Sequence, residues 1–282
     1  MTRPITVGAD GTAESLAAVH WAAREAVRRD LPLRIVHAWE KSDREDGAVD
    51  AREALTRIAG EVTARHPDLT VTTDLIDGGP VEALIAAAAE GTTLVLGSRG
   101  QGAIVGFLLG SVGQQVIAES TRPVVLVRAG DQPESEAGGR EVVVGQQGGP
   151  DDSAATLGYA FEAAAARGAA LRVVRAWALP TVFTYSPASL ALADEAGGLE
   201  QYERKALAEV LQPWLERFPD VQVTQQIEMG SAGEVLLSVA ARAQLMVVGR
   251  RAHRSAVGSR IGSVAHAVVH HAPSPVAVVP PA

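Results

Sequence analysis

The chain has 282 residues, no cysteine, a formal net charge of −8 and 47% hydrophobic residues. This length predicts two domains, the apolar content excludes an intrinsically disordered chain, and the absence of cysteine excludes a disulfide framework and thiolate metal sites. Because the balance is acidic and no apolar run is long enough for a signal peptide or a membrane span, we expect a cytoplasmic protein without nucleic-acid or membrane partners.

Short β-branched runs alternate with longer amphipathic segments through the first half of the chain. In chain order, strands are predicted at residues 5–7, 33–38, 70–75, 93–96 and 124–127, and helices at 15–29, 50–65, 80–89 and 112–119. Runs such as VVLV lack polar alternation, which is typical of strands covered on both faces. Strands that alternate with helices predict a parallel, doubly wound sheet, which binds ligands at the carboxyl ends of its strands.

The second half of the chain repeats the first. LRIVHAW at residues 33–39 returns as LRVVRAW at 171–177, and GSV at 110–112 returns at 262–264. The second copy carries one extra residue near Gly149 and a longer insertion after Trp177. The aperiodic segment 129–140, rich in Gly and acidic residues, is predicted as a linker. The pattern indicates a tandem duplication, with domains at residues 1–128 and 141–282.

The last strand of each copy is predicted to lie at a sheet edge. These strands, at residues 124–127 and 276–279, follow Pro123 and Pro275. Unpaired edges are usually covered or paired. We therefore expect the two copies to pack as a pseudo-dimer within the chain, and two chains to form a homodimer.

Glycines surround the predicted fourth strand of the first copy. GSRG at residues 97–100 is followed by nine residues and then by GSVG at 110–113, where a helix is predicted to begin. Glycines allow backbone N–H groups to approach an anion closely, and a helix N-terminus adds further donors and a favourable dipole. Ser111 can bond a phosphate oxygen while acting as the helix N-cap. An ordinary glycine-rich connection with a serine cap has the same residues, so the spacing alone leaves both interpretations open.

The spacing G-x2-G-x9-G-S, together with GADG at residues 8–11 and HA at 37–38, resembles the ATP-binding signature of the universal stress protein family. Nearly the whole chain is similar to a tandem member of that family. The resemblance implies an α/β fold of two tandem Rossmann-like (HUP-type) domains, each a five-stranded parallel sheet with helices on both faces. It also implies an ATP-binding protein with a nucleotide-dependent regulatory role in stress response or dormancy.

The resemblance implies a role for each matching position in the first copy. Ala9 and Asp10 would lie near the adenine and the ribose, and Ala38 would contact adenine through its main chain. Ribose and phosphates would be held by residues of the glycine segments, namely Gly97, Ser98, Arg99, Gly100, Gly110, Ser111, Val112 and Gly113. From residue type alone, Asp10 is equally a turn aspartate that caps the helix beginning near Ser15.

The second copy departs from the signature. Ala252 replaces Gly100 and Gln147 replaces Asp10, while arginines accumulate after the fourth strand. The arginines can bind phosphates with their paired donors, or they can form a solvated basic loop. We expect the second copy to bind ATP as well, through the equivalent residues Gly249, Arg250, Arg251, Gly262, Ser263 and Val264.

Lys41 and Lys205 are the only lysines, so a lysine-dependent phosphate loop is excluded. No general base adjoins the glycine segments of the first copy, so we expect no enzyme, and at most slow ATP hydrolysis. Mg²⁺ is expected to accompany ATP, without a dedicated carboxylate site. His266 and His270 share a helix face but lack a third metal ligand, so a metal site is not predicted.

Two other functions are compatible with an α/β duplication. The alternative is an ATP-pyrophosphatase-type adenylating enzyme, whose Ser-Gly-Gly-x-Asp-Ser loop is faintly matched by QGGPDDS at residues 147–153. An electron-transfer flavoprotein-like module is disfavoured, since no residue pattern indicates a flavin.

Overall fold

Both repeats fold as alternating strands and helices in the computed structural model, which describes residues 2–40, 45–98, 110–130, 140–178, 198–250 and 261–281. The first repeat contains β1 (Ile5–Gly8), α1 (Ala13–Arg29), β2 (Leu33–Trp39), α2 (Glu45–Arg65), β3 (Val71–Asp77), α3 (Pro80–Glu90), β4 (Thr93–Ser98), α4 (Ser111–Glu119) and β5 (Val124–Arg128). The predicted strands and helices of this repeat are all present, and α2 begins earlier than expected.

The second repeat has the same order of elements. It contains β6 (Glu141–Gly145), α5 (Pro150–Arg167), β7 (Leu171–Trp177), α6 (Gly198–Arg217), β8 (Val223–Met229), α7 (Ala232–Val239), a 3₁₀ turn (Ala240–Arg242), β9 (Ala243–Gly249), α8 (Ser263–His271) and β10 (Val276–Val279). No helix within the described ranges combines the length and the apolar character that a bilayer span requires.

The strands form one continuous sheet in the order β3-β2-β1-β4-β5-β10-β9-β6-β7-β8. Within each repeat the five strands are parallel, and β5 pairs with β10 in antiparallel register, with Ala277 opposite Val125. The expected two separate five-stranded sheets are thus replaced by one mixed ten-stranded sheet. The reason is that β5 and β10 are apolar on both faces, and each edge satisfies the backbone groups of the other.

This antiparallel junction sets the positions of the strand ends. The carboxyl ends of β1 to β5 lie along one rim of the sheet, and those of β6 to β10 lie along the opposite rim. In each repeat the chain adds strands outward in one direction and then returns to the other side of its first strand. Ligand crevices of doubly wound sheets form at such a reversal, here between β1 and β4 and between β6 and β9.

Helices cover both faces, and each face has a core that spans the two repeats. One core lies between the sheet and α1, α2, α5 and α6, and the other lies between the sheet and α3, α4, α7 and α8. Small side chains allow α1 to lie close to the strands, since Ala18, Ala22 and Ala26 are fully buried. The two repeats are therefore packed as one unit within the chain.

Candidate functional site

A cleft of about 300 Å³ opens at the carboxyl ends of β1, β2 and β4 in the first repeat. Its volume is at the lower end of the range for small-molecule sites, about 300–1,000 Å³. The cleft is lined by Gly8, Ala9, Asp10, Thr12, Glu14, Ser15, Val36, His37, Ala38, Pro80, Leu84, Leu96, Gly97, Gly110, Ser111, Val112 and Gly113. The structure thus brings together eight of the residues that the sequence nominated in the first copy: Ala9, Asp10, Ala38, Gly97, Gly110, Ser111, Val112 and Gly113.

The turn that carries Asp10 is fixed by its own hydrogen bonds. The Asp10 carboxylate accepts from the Thr12 backbone N–H at 3.0 Å and from the Thr12 hydroxyl. Thr12, rather than Asp10, is the N-cap of α1, since its hydroxyl accepts from the Ser15 N–H. Burial alone would raise the pKa of Asp10, but the hydrogen bonds from Thr12 outweigh burial and hold the pKa below its ordinary value. Asp10 therefore presents an ionised carboxylate to the cleft at neutral pH.

His37 ties the ends of β1 and β2 together on one wall of the cleft. Its Nδ1 contacts the carbonyl oxygen of Ala9, while the Ala9 N–H donates to the Val36 carbonyl at 2.8 Å. A carbonyl oxygen can only accept, so we assign the proton of the imidazole to Nδ1. The contact holds the backbone of residues 9 and 10 against the end of β2, which contains Ala38.

Two glycines of the site are required by close packing of the protein itself. A Cβ on Gly97 would lie 2.5 Å from the carbonyl carbon and oxygen of Glu14, in the first turn of α1. A Cβ on Gly8 would lie 2.8 Å from Leu96 and 3.0 Å from Leu84. Glycine at these positions therefore lets β1, β4 and α1 converge around the cleft, whatever the ligand.

The start of α4 forms the opposite end of the cleft. Gly110 is the N-cap, with φ −59° and ψ 156°, and no side chain caps the helix. Ser111 is therefore the first helical residue and not the predicted N-cap. The N–H groups of the first turn have no acceptor within the helix, and Ser111, Val112 and Gly113 line the cleft. This end offers hydrogen-bond donors and the positive end of a helix dipole, while Asp10 and Glu14 supply acceptors elsewhere in the cleft.

Of the three other nominated residues of the first copy, only Ser98 is described, and it is not among the lining residues. The Ser98 hydroxyl donates to the Val127 carbonyl at 3.1 Å, within the sheet. Arg99 and Gly100 lie outside the described residues.

In the second repeat a polar network lies at the positions that correspond to Ala9 and His37. Gln146 takes the place of Ala9 and Arg175 takes the place of His37. Arg175 donates to the Gln146 amide oxygen at 2.7 Å and to Glu203 of α6 at 2.6 Å. The Gln146 amide nitrogen donates in turn to Ser153. The bond between Arg175 and Gln146 corresponds to the His37–Ala9 contact of the first repeat, and the bond to Glu203 adds a link to α6.

The predicted phosphate residues of the second repeat also differ in geometry. Gly262 precedes α8 with φ +91°, where Gly110 has φ −59°. Ser263 and Val264 begin α8, and Gly249 ends β9. The Arg250 side chain contacts the first repeat, donating to the carbonyl oxygens of Ile117 and Ala118. Arg251 lies outside the described residues.

Sequence reasoning missed several lining residues of the first cleft. The missed residues are Gly8, Thr12, Glu14, Ser15, Val36, His37, Pro80, Leu84 and Leu96. Thr12 and Ser15 carried a usable signal, since hydroxyl residues ahead of an alanine-rich helix mark its N-terminus. Leu84 and Leu96 had none, because core leucines look the same whether or not they border a cavity.

His266 and His270 lie one turn apart on α8. The rings of His266 and His270 are 4.2 Å apart between centroids. Burial and the neighbouring His270 and His271 hold the pKa of His266 below its ordinary value. The described part of the chain contains no cluster of three side chains that could hold a metal ion.

Comparisons with known proteins agree with the duplicated fold. Residues 1–128 and 140–280 match the model of the universal stress protein family. A universal stress protein of Mycolicibacterium smegmatis is 33% identical over 292 residues, which cover 98% of this chain and 97% of the relative. One of Mycobacterium tuberculosis is 31% identical over 290 residues, which cover 97% of this chain and 96% of the relative.

Solved structures share the architecture across the whole chain. The crystal structure of a universal stress protein from Archaeoglobus fulgidus superposes with a TM-score of 0.76 at 17% identity, covering 99% of this chain and 98% of that one. A putative universal stress protein from Pseudomonas aeruginosa gives a TM-score of 0.64 at 18% identity, covering 98% and 92%. At these identities the likeness concerns the fold.

Proposed function

Since this chain belongs to the universal stress protein family, we propose that its first repeat binds ATP and that ATP occupancy regulates the protein's interactions. The observation that carries this proposal is the cleft at the β1–β4 reversal, which has apolar walls, a carboxylate and the N-terminus of α4. These are the three surfaces that a base, a ribose and a phosphate chain require.

The cleft residues divide naturally among the parts of ATP. Val36, Leu84 and the main chain at Ala38 would enclose the adenine. The Asp10 carboxylate would accept hydrogen bonds from the ribose hydroxyls. The backbone at Gly110–Gly113 and the Ser111 hydroxyl would bind the phosphates, since the described residues that line the cleft include no lysine or arginine. Mg²⁺ would reach the site on the phosphates and offset part of their charge.

The proposed role is regulatory and not catalytic. Two of the titratable side chains of the cleft are engaged by the protein, because Asp10 accepts from Thr12 and His37 contacts the Ala9 carbonyl. A regulatory role requires that ATP bind two states of the protein with different affinity. Slow hydrolysis is compatible with this role, and retained, intact ATP would support it.

The adenylating-enzyme alternative finds no support in the loop that suggested it. The Gly149 N–H donates to the Asp152 carboxylate at 3.0 Å, so an acid of the loop already occupies this backbone donor. Release of AMP and pyrophosphate in the presence of an acceptor would nevertheless favour the enzyme over the regulator.

We propose one ATP per chain. We propose no nucleotide in the second repeat, because Arg175 there bonds both Gln146 and Glu203 at the ends of β6 and β7. Homodimerisation and a cytoplasmic location remain proposals. A second chain would have to use a surface other than the β5 and β10 edges, which pair within the chain.

Two measurements test the proposal. Denaturing the purified protein and separating the released small molecules should identify ATP, and calorimetric titration of nucleotide-free protein should give a stoichiometry of one. A stoichiometry of two would restore the second site. Absence of ATP from the preparation together with no measurable affinity would overturn the proposed function.

A further inference from the structure

Arg250 lies at the end of β9 in the second repeat and reaches into the first. Its backbone N–H donates to the Val279 carbonyl at 2.7 Å, which fixes it to the second repeat's own sheet. Its guanidinium donates to the Ile117 carbonyl at 2.9 Å and to the Ala118 carbonyl. These carbonyls belong to the last turn of α4, where acceptors have no partner within the helix.

α4 connects the two rims of the sheet. Its N-terminus lines the cleft at the carboxyl ends of the first repeat's strands. It then runs back across its repeat for nine residues, about 13 Å. It ends at the opposite rim, where β9 terminates and Arg250 begins the connection to α8. One short helix therefore has a candidate phosphate site at one end and a cation of the other repeat at its other end.

We propose that Arg250 is a positioning residue for the nucleotide site of the first repeat, through which the second repeat tunes the affinity for phosphate. The proposal rests on the proposed function, since it concerns the regulation of that same site. A cation at the C-terminus and an anion at the N-terminus both favour the α4 dipole. Arg250 also fixes the position of the C-terminus of α4, and with it the position of the N-terminus that would bind the phosphates.

Thermodynamic linkage makes this coupling reciprocal. If Arg250 raises the affinity for ATP, then bound ATP strengthens the Arg250–α4 contact by the same factor. The nucleotide would thereby tighten the packing of the two repeats. The second repeat acquires a function in this arrangement as the support of the first.

The contact has no counterpart at the equivalent position of the first repeat. Ser98 stands where Arg250 stands in the second repeat, and its hydroxyl bonds within its own sheet. The chain nevertheless offers a matched control in Arg128. This arginine makes the same kind of contact from the first repeat to a helix of the second. Its guanidinium donates to the His270 carbonyl at 3.4 Å, in the last turn of α8. Arg128 thus crosses between repeats to bond α8, whereas Arg250 crosses to bond α4.

The test compares Arg250→Gln with Arg128→Gln in the full chain, by calorimetric titration with ATP and with adenosine. We expect Arg250→Gln to weaken ATP binding about three- to tenfold and to leave adenosine binding unchanged, because only phosphates reach the start of α4. Arg250→Lys should lose less affinity for ATP than Arg250→Gln, since lysine keeps the positive charge. Arg128→Gln should bind both ligands as the wild type does.

Hydrogen exchange gives a readout that does not need the ligand. The Ser120 N–H, which bonds the Val116 carbonyl at 2.8 Å, should exchange faster in Arg250→Gln than in Arg128→Gln. If the wild type binds ATP but Arg250→Gln binds it equally well, the inference is overturned and the proposed function stands. Equal losses in both variants would also overturn it, by indicating a general loosening of the repeats. A wild type that binds no ATP overturns both.

Discussion

The Glu25 carboxylate of the first repeat forms an ion pair with the Arg167 guanidinium of the second, with Oε2 and Nη2 2.6 Å apart. The two side chains are 1% and 2% exposed. Arg29 joins the same carboxylate at 2.6 Å, and Ala163 stands at the position of the second repeat that corresponds to Glu25. A single buried acid therefore serves arginines of both repeats.

Removing this acid should destabilise the whole chain. Glu25→Gln leaves buried guanidinium groups without their counter-charge, which typically costs about 3–5 kcal/mol of unfolding free energy. The measurement is urea unfolding at neutral pH. Glu53→Gln, an exposed change on α2, should stay within about 0.5 kcal/mol of the wild type. Equal stability of the two variants would show that the ion pair contributes nothing to the junction.

The same carboxylate predicts a pH dependence. Burial alone would raise the pKa of Glu25, but Arg167, Arg29 and Arg28 outweigh burial and hold the pKa below its ordinary value of 4.5. Its contribution to stability is therefore fully present above pH 4.5 and is lost as the pH falls through the folded-state pKa. We expect the unfolding free energy of the wild type to fall more steeply in this acidic range than that of Glu25→Gln. Parallel curves from urea melts would contradict this assignment.

Ser111 and Ser263 begin the corresponding helices α4 and α8, so substituting each serine in turn shows which repeat binds the nucleotide. Ser111→Ala should weaken ATP binding about tenfold, because a hydroxyl bonded to a charged phosphate is lost. The helix itself should tolerate the change, since Gly110 is the N-cap. Ser263→Ala, the matched change at α8, should leave the affinity unaltered. A larger effect at Ser263, measured by calorimetry, would place the nucleotide in the second repeat.

The effect of a glycine-to-alanine substitution on stability should depend on the space around the new Cβ and not on the presence of a ligand. Gly97→Ala drives a methyl group against the Glu14 carbonyl and should cost about 1–3 kcal/mol of stability without nucleotide. Gly60→Ala, in the interior of α2 with no atom within 4 Å of the new Cβ, should stabilise by about 0.5–1 kcal/mol. Urea unfolding of nucleotide-free protein measures both. A neutral Gly97→Ala would mean that the glycine is kept for ligand approach alone.

Gly262 is unsuitable as a binding control. Its φ of +91° makes an alanine strained whatever binds. A loss of affinity in Gly262→Ala would therefore report a distorted start of α8, and the serine pair avoids this ambiguity.

The strands were predictable because the residue pattern that favours a strand is contained in the strand itself. The apolar, β-branched runs of β2 and β4 indicate strands that are covered on both faces, whichever elements cover them. The joined sheet was not predictable in the same way, because the edge of β5 is equally satisfied by any strand of matching length. That β10 supplies it is a property of the packed pair, visible only in the register of Ala277 and Val125.

The site was predictable where backbone chemistry is local. The glycines and the start of α4 follow from spacing, and seven of the eight nominated residues that line the cleft lie in the three glycine-containing segments at 8–11, 97–100 and 110–113. The network of Gln146, Arg175 and Glu203 joins three elements far apart in sequence. The reach of Arg250 to Ile117 depends on how the repeats pack, which no residue pattern in either repeat records.

The antiparallel junction also gives the molecule a front and a back. The turns that follow the carboxyl ends of β1 and β4 open on one rim of the sheet, and those that follow β6 and β9 open on the opposite rim. A ligand that enters the first-repeat cleft therefore approaches from one side, while Arg250 reaches the far end of α4 from the other.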